Sequence, residues 1–162
     1  MSCSALYVLL RWQLAYPGIM ADRYLDELEK EKAGAAEGRR DRITRPYGPR
    51  TFELVAEHEE EVVGWLRAGP KRDDDWHETQ GEIWAGYVHP DAWRSGVGSA
   101  LMTAALERLA IEGYTQATRW VFEEKARARL FYERLGWSVD GATALFERGG
   151  GQAIEIRYYR PL

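Results

Sequence analysis

A single cysteine, Cys3, stands among the 162 residues, so no internal disulfide can form, and the chain has the make-up of a protein kept in a reducing compartment. The three histidines and that cysteine show none of the short spacings a tetrahedral zinc site needs, and no metal is expected. Charge of one sign is not in excess either: 22 basic residues face 26 acidic ones, a formal net charge of -4, with both signs spread along the chain. That balance leaves no electrostatic footprint for nucleic acid or an anionic membrane surface. Long hydrophobic runs are missing as well. The longest early one, Ala5 to Leu10, is far short of the roughly 20 residues of a membrane span and carries no cationic leader or cleavage pattern. The expected location is cytoplasmic. Internal repeats and low-complexity tracts are also absent.

What is present is enough apolar material, 45% of residues, for one core, and the length favours a single domain over residues 1–162. Seven tryptophans are scattered without a period, which suits core and pocket walls. Over the first 33 residues Tyr24, Leu25 and Leu28 fall at helical spacing, followed by a charged face up to Gly34. From Gly34 to Pro49 the Gly, Arg, Asp and Pro content reads as a surface loop. Phe52 to Glu57 and Val62 to Arg67 read as an antiparallel hairpin, and Glu82 to His89 as a third strand ended by Pro90.

The clearest helix runs from Gly98 to Glu112. Met102, Ala105, Leu106 and Leu109 repeat at i, i+3, i+4 and i+7, and Gly113 supplies a left-handed stop. A strand at Thr118 to Phe122 precedes a second amphipathic helix, about Lys125 to Leu135, with Ala128, Phe131, Tyr132 and Leu135 on its apolar stripe and Gly136 at its end. Trp137 to Glu147 and Ile154 to Tyr159 read as a terminal hairpin.

Between the third strand and the strong helix lies Arg94-Ser95-Gly96-Val97-Gly98-Ser99. Glycines at 96 and 98 remove Cβ atoms that would block a close approach, and a helix start contributes about half a positive charge. Successive amides and the helix N-terminus can therefore converge on a phosphate, with Arg94 adding a full charge. A dinucleotide-binding Gly-x-Gly-x-x-Gly fails at Leu101, and no Walker Gly-Lys-Ser/Thr occurs.

Tyr87 to Met102 resembles the acetyl-CoA motif of the GNAT superfamily of N-acetyltransferases, whose loop is written Gln/Arg-x-x-Gly-x-Gly/Ala. Trp120 to Trp137 is similar to the same family's following strand and helix, which usually ends Tyr-x-x-x-Gly-Phe. The resemblance runs from about Thr51 to the C-terminus. Trp93 stands where the family usually carries Gln or Arg, and Lys125 where many members carry Asn.

The resemblance implies an α/β fold with a mixed, mostly antiparallel sheet of six or seven strands, splayed where the cofactor enters, and helices on both faces. Members begin with a strand, so either Ala5 to Leu10 is a short first strand or that strand is missing. Trp12, Tyr16, Tyr24, Leu25 and Leu28 are similar to the helical arm beside the acceptor site, and equally suit any amphipathic helix.

It also implies an acetyl-CoA-dependent enzyme that acetylates a small-molecule or amino-acid-like amine. The cofactor would be held by Val88, Arg94, Ser95, Gly96, Val97, Gly98 and Ser99. Tyr132 would protonate the sulfur of coenzyme A, and Glu82 would remove the acceptor's proton. His77, His89 or water are the competing bases. The Asp73-Asp74-Asp75 run reads as a solvated loop able to attract a cationic acceptor. A non-catalytic acyl-CoA sensor of the same fold is the other reading. Exposed sheet edges with abundant Trp and Tyr are compatible with a homodimer.

Overall fold

The computed structural model describes residues 48–148 and 151–162. The readings made over the first 47 residues, including Cys3, the strand choice at Ala5 to Leu10 and the arm from Trp12 to Leu28, lie outside the described residues. Six strands and two α-helices alternate along the remainder: β1 (Phe52–His58), β2 (Glu61–Pro70), β3 (Gln80–Val88), a 3-10 turn (Pro90–Ala92), α1 (Val97–Ile111), β4 (Gln116–Phe122), α2 (Ala126–Arg134), β5 (Ser138–Arg148) and β6 (Gly151–Pro161).

The strands form one sheet in the order β1-β2-β3-β4-β6-β5. Every neighbouring pair is antiparallel except β3 and β4, which are joined through α1 and run parallel. Their pairing stops after Gln80↔Gln116, Gly81↔Ala117 and Glu82↔Thr118, although β3 continues to Val88 and β4 to Phe122. Beyond Glu82 the two strands part into a V, the splay that the resemblance implied.

A bulge helps them diverge. Arg67 pairs with Ala85 and Ala68 with Ile83, which leaves Trp84 as an extra residue on β3. The carbonyls at the bulge are not wasted: the Arg119 guanidinium donates to the oxygens of Ile83 and Trp84 at 2.9 and 2.5 Å. A β4 side chain thus ties across to β3 where the backbone ladder ends.

Strand alternation separates two faces. Leu66, Ala68, Ile83, Ala117, Val121, Ile156 and Tyr158 join Leu101, Met102, Ala105, Leu106 and Leu109 of α1 and Tyr132 of α2 in one buried cluster. That face carries both described helices. The opposite face bears Trp65, Tyr87, Trp84, Glu82, Trp120, Phe122, Glu155 and Arg157, with Trp65 stacked on Tyr87 at 6.1 Å and Phe122 edge-on to Phe146 at 5.1 Å.

Helix ends follow the sequence closely. Gly113 at φ 86° lets Tyr114 N–H donate back to Leu109 O, and Gly136 at φ 79° lets Trp137 N–H donate back to Tyr132 O. The second turn, together with the edge-on contact of Tyr132 and Trp137 at 5.7 Å, sets the position of Tyr132 at the inner end of α2.

Candidate active site

The helix α1 starts without a side-chain cap. Its N-cap is Gly96, at φ 92°, preceded by Arg94 at φ 67°. Two left-handed residues so close together turn the backbone outward, and Ser95 is spent on the turn itself, donating Oγ to Ala92 O at 2.6 Å. The first bond of the helix is Ala100 N–H to Gly96 O. Among the described residues, the amides of Arg94 through Ser99 donate to no protein acceptor. Several unpaired donors at an exposed helix start form a ready anion site. A Cβ at Gly96 would meet nothing within 4 Å, and one at Gly98 would sit in ordinary contact with Phe131 at 3.4 Å, so it is the positive φ of Gly96 that calls for glycine here.

A cavity of about 580 Å³ opens from this loop into the V. It is lined by Val88, Arg94, Gly96, Gly98 and Ser99 on the loop side and by Lys125, Ala128, Phe131 and Tyr132 on the α2 side. The chain thus brings together in one cavity most of the residues expected to hold a cofactor, and Tyr132 with them. Ser95 and Val97 belong to the same turn without lining the cavity.

Val88 is turned the right way. Because His89 N–H donates to Val63 O at 2.7 Å, antiparallel alternation points the Val88 amide and carbonyl to the other edge, where β4 has already departed. The Val88 carbonyl there accepts the Trp93 indole N–H at 2.9 Å. Trp93 also lies under the guanidinium of Arg127, 3.9 Å from the ring centre. Where the family carries Gln or Arg, this chain uses an indole to brace the loop against β3 and α2.

Tyr132 is buried, 8% exposed, and packed against Phe131, Trp137 and Tyr158. Its hydroxyl makes no hydrogen bond among the described residues, which leaves its proton available to the cavity it lines. Lys125, at the N-cap of α2, lines the cavity too, and burial pushes its amine below the usual lysine range.

Glu82, expected as the base, lies beside the cavity and not in its lining. Only 3% exposed, it accepts Arg72 N–H at 3.0 Å on Oε2 and the Arg72 guanidinium at 2.8 Å on Oε1, and it does not line the cavity. Neither does His77, whose Nδ1 contacts the Thr79 hydroxyl, nor His89, whose Nδ1 accepts the Asp91 amide.

The acidic run is not a bare solvated loop. Asp73 accepts the Trp120 indole and the Arg157 guanidinium, and Asp75 holds Arg157 and Lys71. Asp73 and Asp75 are thus each paired with cations, which weakens the field offered to a cationic acceptor; among the described residues Asp74 alone of the three has no such partner.

Sequence reasoning did not single out Arg119 or Glu155, both of which line the cavity. Their strands were recognised, but period-two alternation tells which side chains share a face, not what that face encloses. Among the described residues no group of three His, Cys, Asp or Glu could hold a metal, and no helix is long and apolar enough to cross a membrane.

The profile of the Acetyltransferase (GNAT) family matches residues 13–137. The chain belongs to this family. A GNAT relative, mycothiol acetyltransferase of Kocuria rhizophila, is 33% identical over 101 residues, covering 58% of this chain and 33% of its own length. The matches to mycothiol acetyltransferases span between 30% and 42% of the length of those proteins. A probable N-acetyltransferase of Mycobacterium tuberculosis is 26% identical over 149 residues, 92% of this chain and 80% of the relative.

The same fold is seen in the ribosomal-protein-alanine N-acetyltransferase of Brucella melitensis, with a TM-score of 0.67 at 19% identity over 98% of this chain and 93% of that one. It recurs in the PaiA N-acetyltransferase of Thermoplasma acidophilum, solved in complex with coenzyme A, with a TM-score of 0.66 at 16% identity, covering 95% and 87%.

Proposed function

We propose that this GNAT chain is an acetyl-CoA-dependent N-acetyltransferase acting on the amine of a small-molecule or amino-acid-like acceptor. The observation that carries the reading is the row of amides from Arg94 to Ser99, unpaired among the described residues, beside a cavity that Tyr132 also lines. Such amides, with the Arg94 charge, suit a diphosphate. The parted strands give the rest of an elongated ligand a slot between them. Acetyl-CoA supplies an activated acetyl group when bound.

The chain's own groups then divide the work. Val88 N–H, turned into the V, is a donor placed for the carbonyl oxygen as it gathers charge. The Tyr132 hydroxyl, free of protein partners among the described residues, gives its proton to the departing sulfur. Lys125 and Arg127 at the start of α2 add positive charge along the cavity wall. The walls of Leu101, Met102, Phe131 and Val121 exclude water, which strengthens each of these polar interactions.

A panel of primary amines, including polyamines, aminoglycosides and amino-acid amides, tests the reading by release of free thiol from acetyl-CoA. At least one amine is expected to drive rapid release. Tyr132→Phe keeps the ring contacts with Trp137 and Tyr158 and should lower kcat by about 100-fold to 10,000-fold while leaving cofactor affinity unchanged. Saturable binding with no release across the panel would favour the non-catalytic sensor instead.

A further inference from the structure

The cavity contains one carboxylate among its described lining residues, and it is Glu155. This half-buried side chain sits on β6, opposite Phe122 of β4 and Ala144 of β5. Cross-strand partners share a face, so Glu155 lies with Phe122 and Trp120 on the side of the sheet away from α1 and α2. Tyr132 approaches from the helix side, within the cluster that includes Ile156 and Tyr158. The two groups are therefore on opposite faces and share a cavity only because β3 and β4 part.

Direct transfer suits that arrangement. The amine approaches a face of the planar acyl group while the sulfur lies in its plane, so a proton acceptor and a proton donor at separate positions serve the two groups. Resting on the acetyltransferase reading above, we propose that Glu155, rather than Glu82, accepts the proton of the acceptor amine.

In the step the amine nitrogen forms a bond to the acyl carbon as the carbon–sulfur bond breaks. The nitrogen's proton passes to a Glu155 carboxylate oxygen, directly or through one water, and the sulfur takes the Tyr132 proton. Glu155 later returns its proton to solvent and Tyr132 regains one, so neither residue is consumed.

The surroundings suit a base. Burial pushes the Glu155 carboxyl above the usual range, Arg119 from β4 pulls it back in part, and Glu82 from β3 pushes it up again. Glu82 is itself held by Arg72 at 2.8 Å and lies outside the cavity lining. Arg157, on that same face of β6, is committed to Asp73, Asp75 and Asp140.

The test compares wild type, Glu155→Gln and Glu82→Gln with the best amine of the panel, over a range of pH. Wild-type kcat should fall on the acid side as the carboxyl takes up a proton. Glu155→Gln should lose about 100-fold or more in kcat and lose that acid limb, with the acetyl-CoA thermal shift intact. Added formate should restore part of the activity of Glu155→Ala and leave the glutamine variant unchanged.

Retention of wild-type kcat and pH profile in Glu155→Gln overturns this inference and leaves the proposed function standing. So does an acid limb lost in Glu82→Gln but kept in Glu155→Gln. A wild type that neither shifts its melting with acetyl-CoA nor releases thiol with any amine overturns the proposed function and the base together.

Discussion

Gly96 and Gly98 look equivalent in the sequence, two small residues flanking Val97, yet they do different jobs. Gly96 is at φ 92°, where a side chain is strained, although a Cβ there would touch nothing. Gly98 is already in the first turn of α1, where an added Cβ would rest in ordinary contact with Phe131 and Val88. Gly96→Ala should therefore cost about 1 kcal/mol or more in urea unfolding through the backbone alone. Gly98→Ala should cost nothing by that assay, since alanine is the better helix former. Equal losses at both positions would contradict the account of the turn. At this scale the sequence was informative about the loop and Tyr132, because glycines and a tyrosine at helical spacing carry local signals. It was uninformative about Glu155, which sits in an ordinary strand alternation and gains its meaning only from strands distant in the chain.

The elements themselves were legible because their periods are strong. Among the described residues both helices and all six strands were expected close to where they occur, and the glycines at 113 and 136 stop the helices as their chemistry requires. Where the reading fell short, tertiary pairing decided. β2 was expected to end at Arg67, but Ala68, Gly69 and Pro70 go on to pair with Ile83, Glu82 and Gly81. The strand order and the bulge at Trp84 had no local signal.

Two glycines explain how closely α1 sits on the sheet. A Cβ at Gly64 would come 2.7 Å from Leu101 and 3.1 Å from Val97, and one at Gly81 would come 2.9 Å from Leu109. Gly64→Val should overpack the N-terminal half of α1 and lower stability by about 1–3 kcal/mol. Since that end of α1 carries the amide row, acetyl-CoA affinity should fall in the same variant. A stable variant with wild-type affinity would show that the helix seat does not set the loop.

Over the whole molecule, an ionic hub on the face opposite the helices ties the connection after β2 to the last hairpin. Arg157 holds Asp73 and Asp75 from that connection and Asp140 from β5 at 2.7–2.9 Å. The Arg157 guanidinium, with Lys71, holds the Asp75 carboxyl at about 2 instead of its ordinary 3.8. A carboxyl depressed by folding contributes stability that is complete above pH 4 and lost as pH falls from about 4 to 2. Asp75→Asn should therefore melt below wild type at neutral pH, and the two curves should converge near pH 2. Because Asp75 is largely exposed, solvent screens the pair and the difference should be small. Convergence at neutral pH would remove the hub from the account of stability.

The claim on which the enzyme reading rests is that the amides of Arg94 to Ser99 and the V beyond them hold acetyl-CoA, and titration calorimetry of the pure protein with acetyl-CoA tests it most directly. The account predicts saturable binding at one site per chain, weakened as salt is added. At 100 times the dissociation constant it should stabilise the fold by about 2.7 kcal/mol. No heat of binding at any concentration, joined to a melting temperature that acetyl-CoA leaves unmoved, would contradict it.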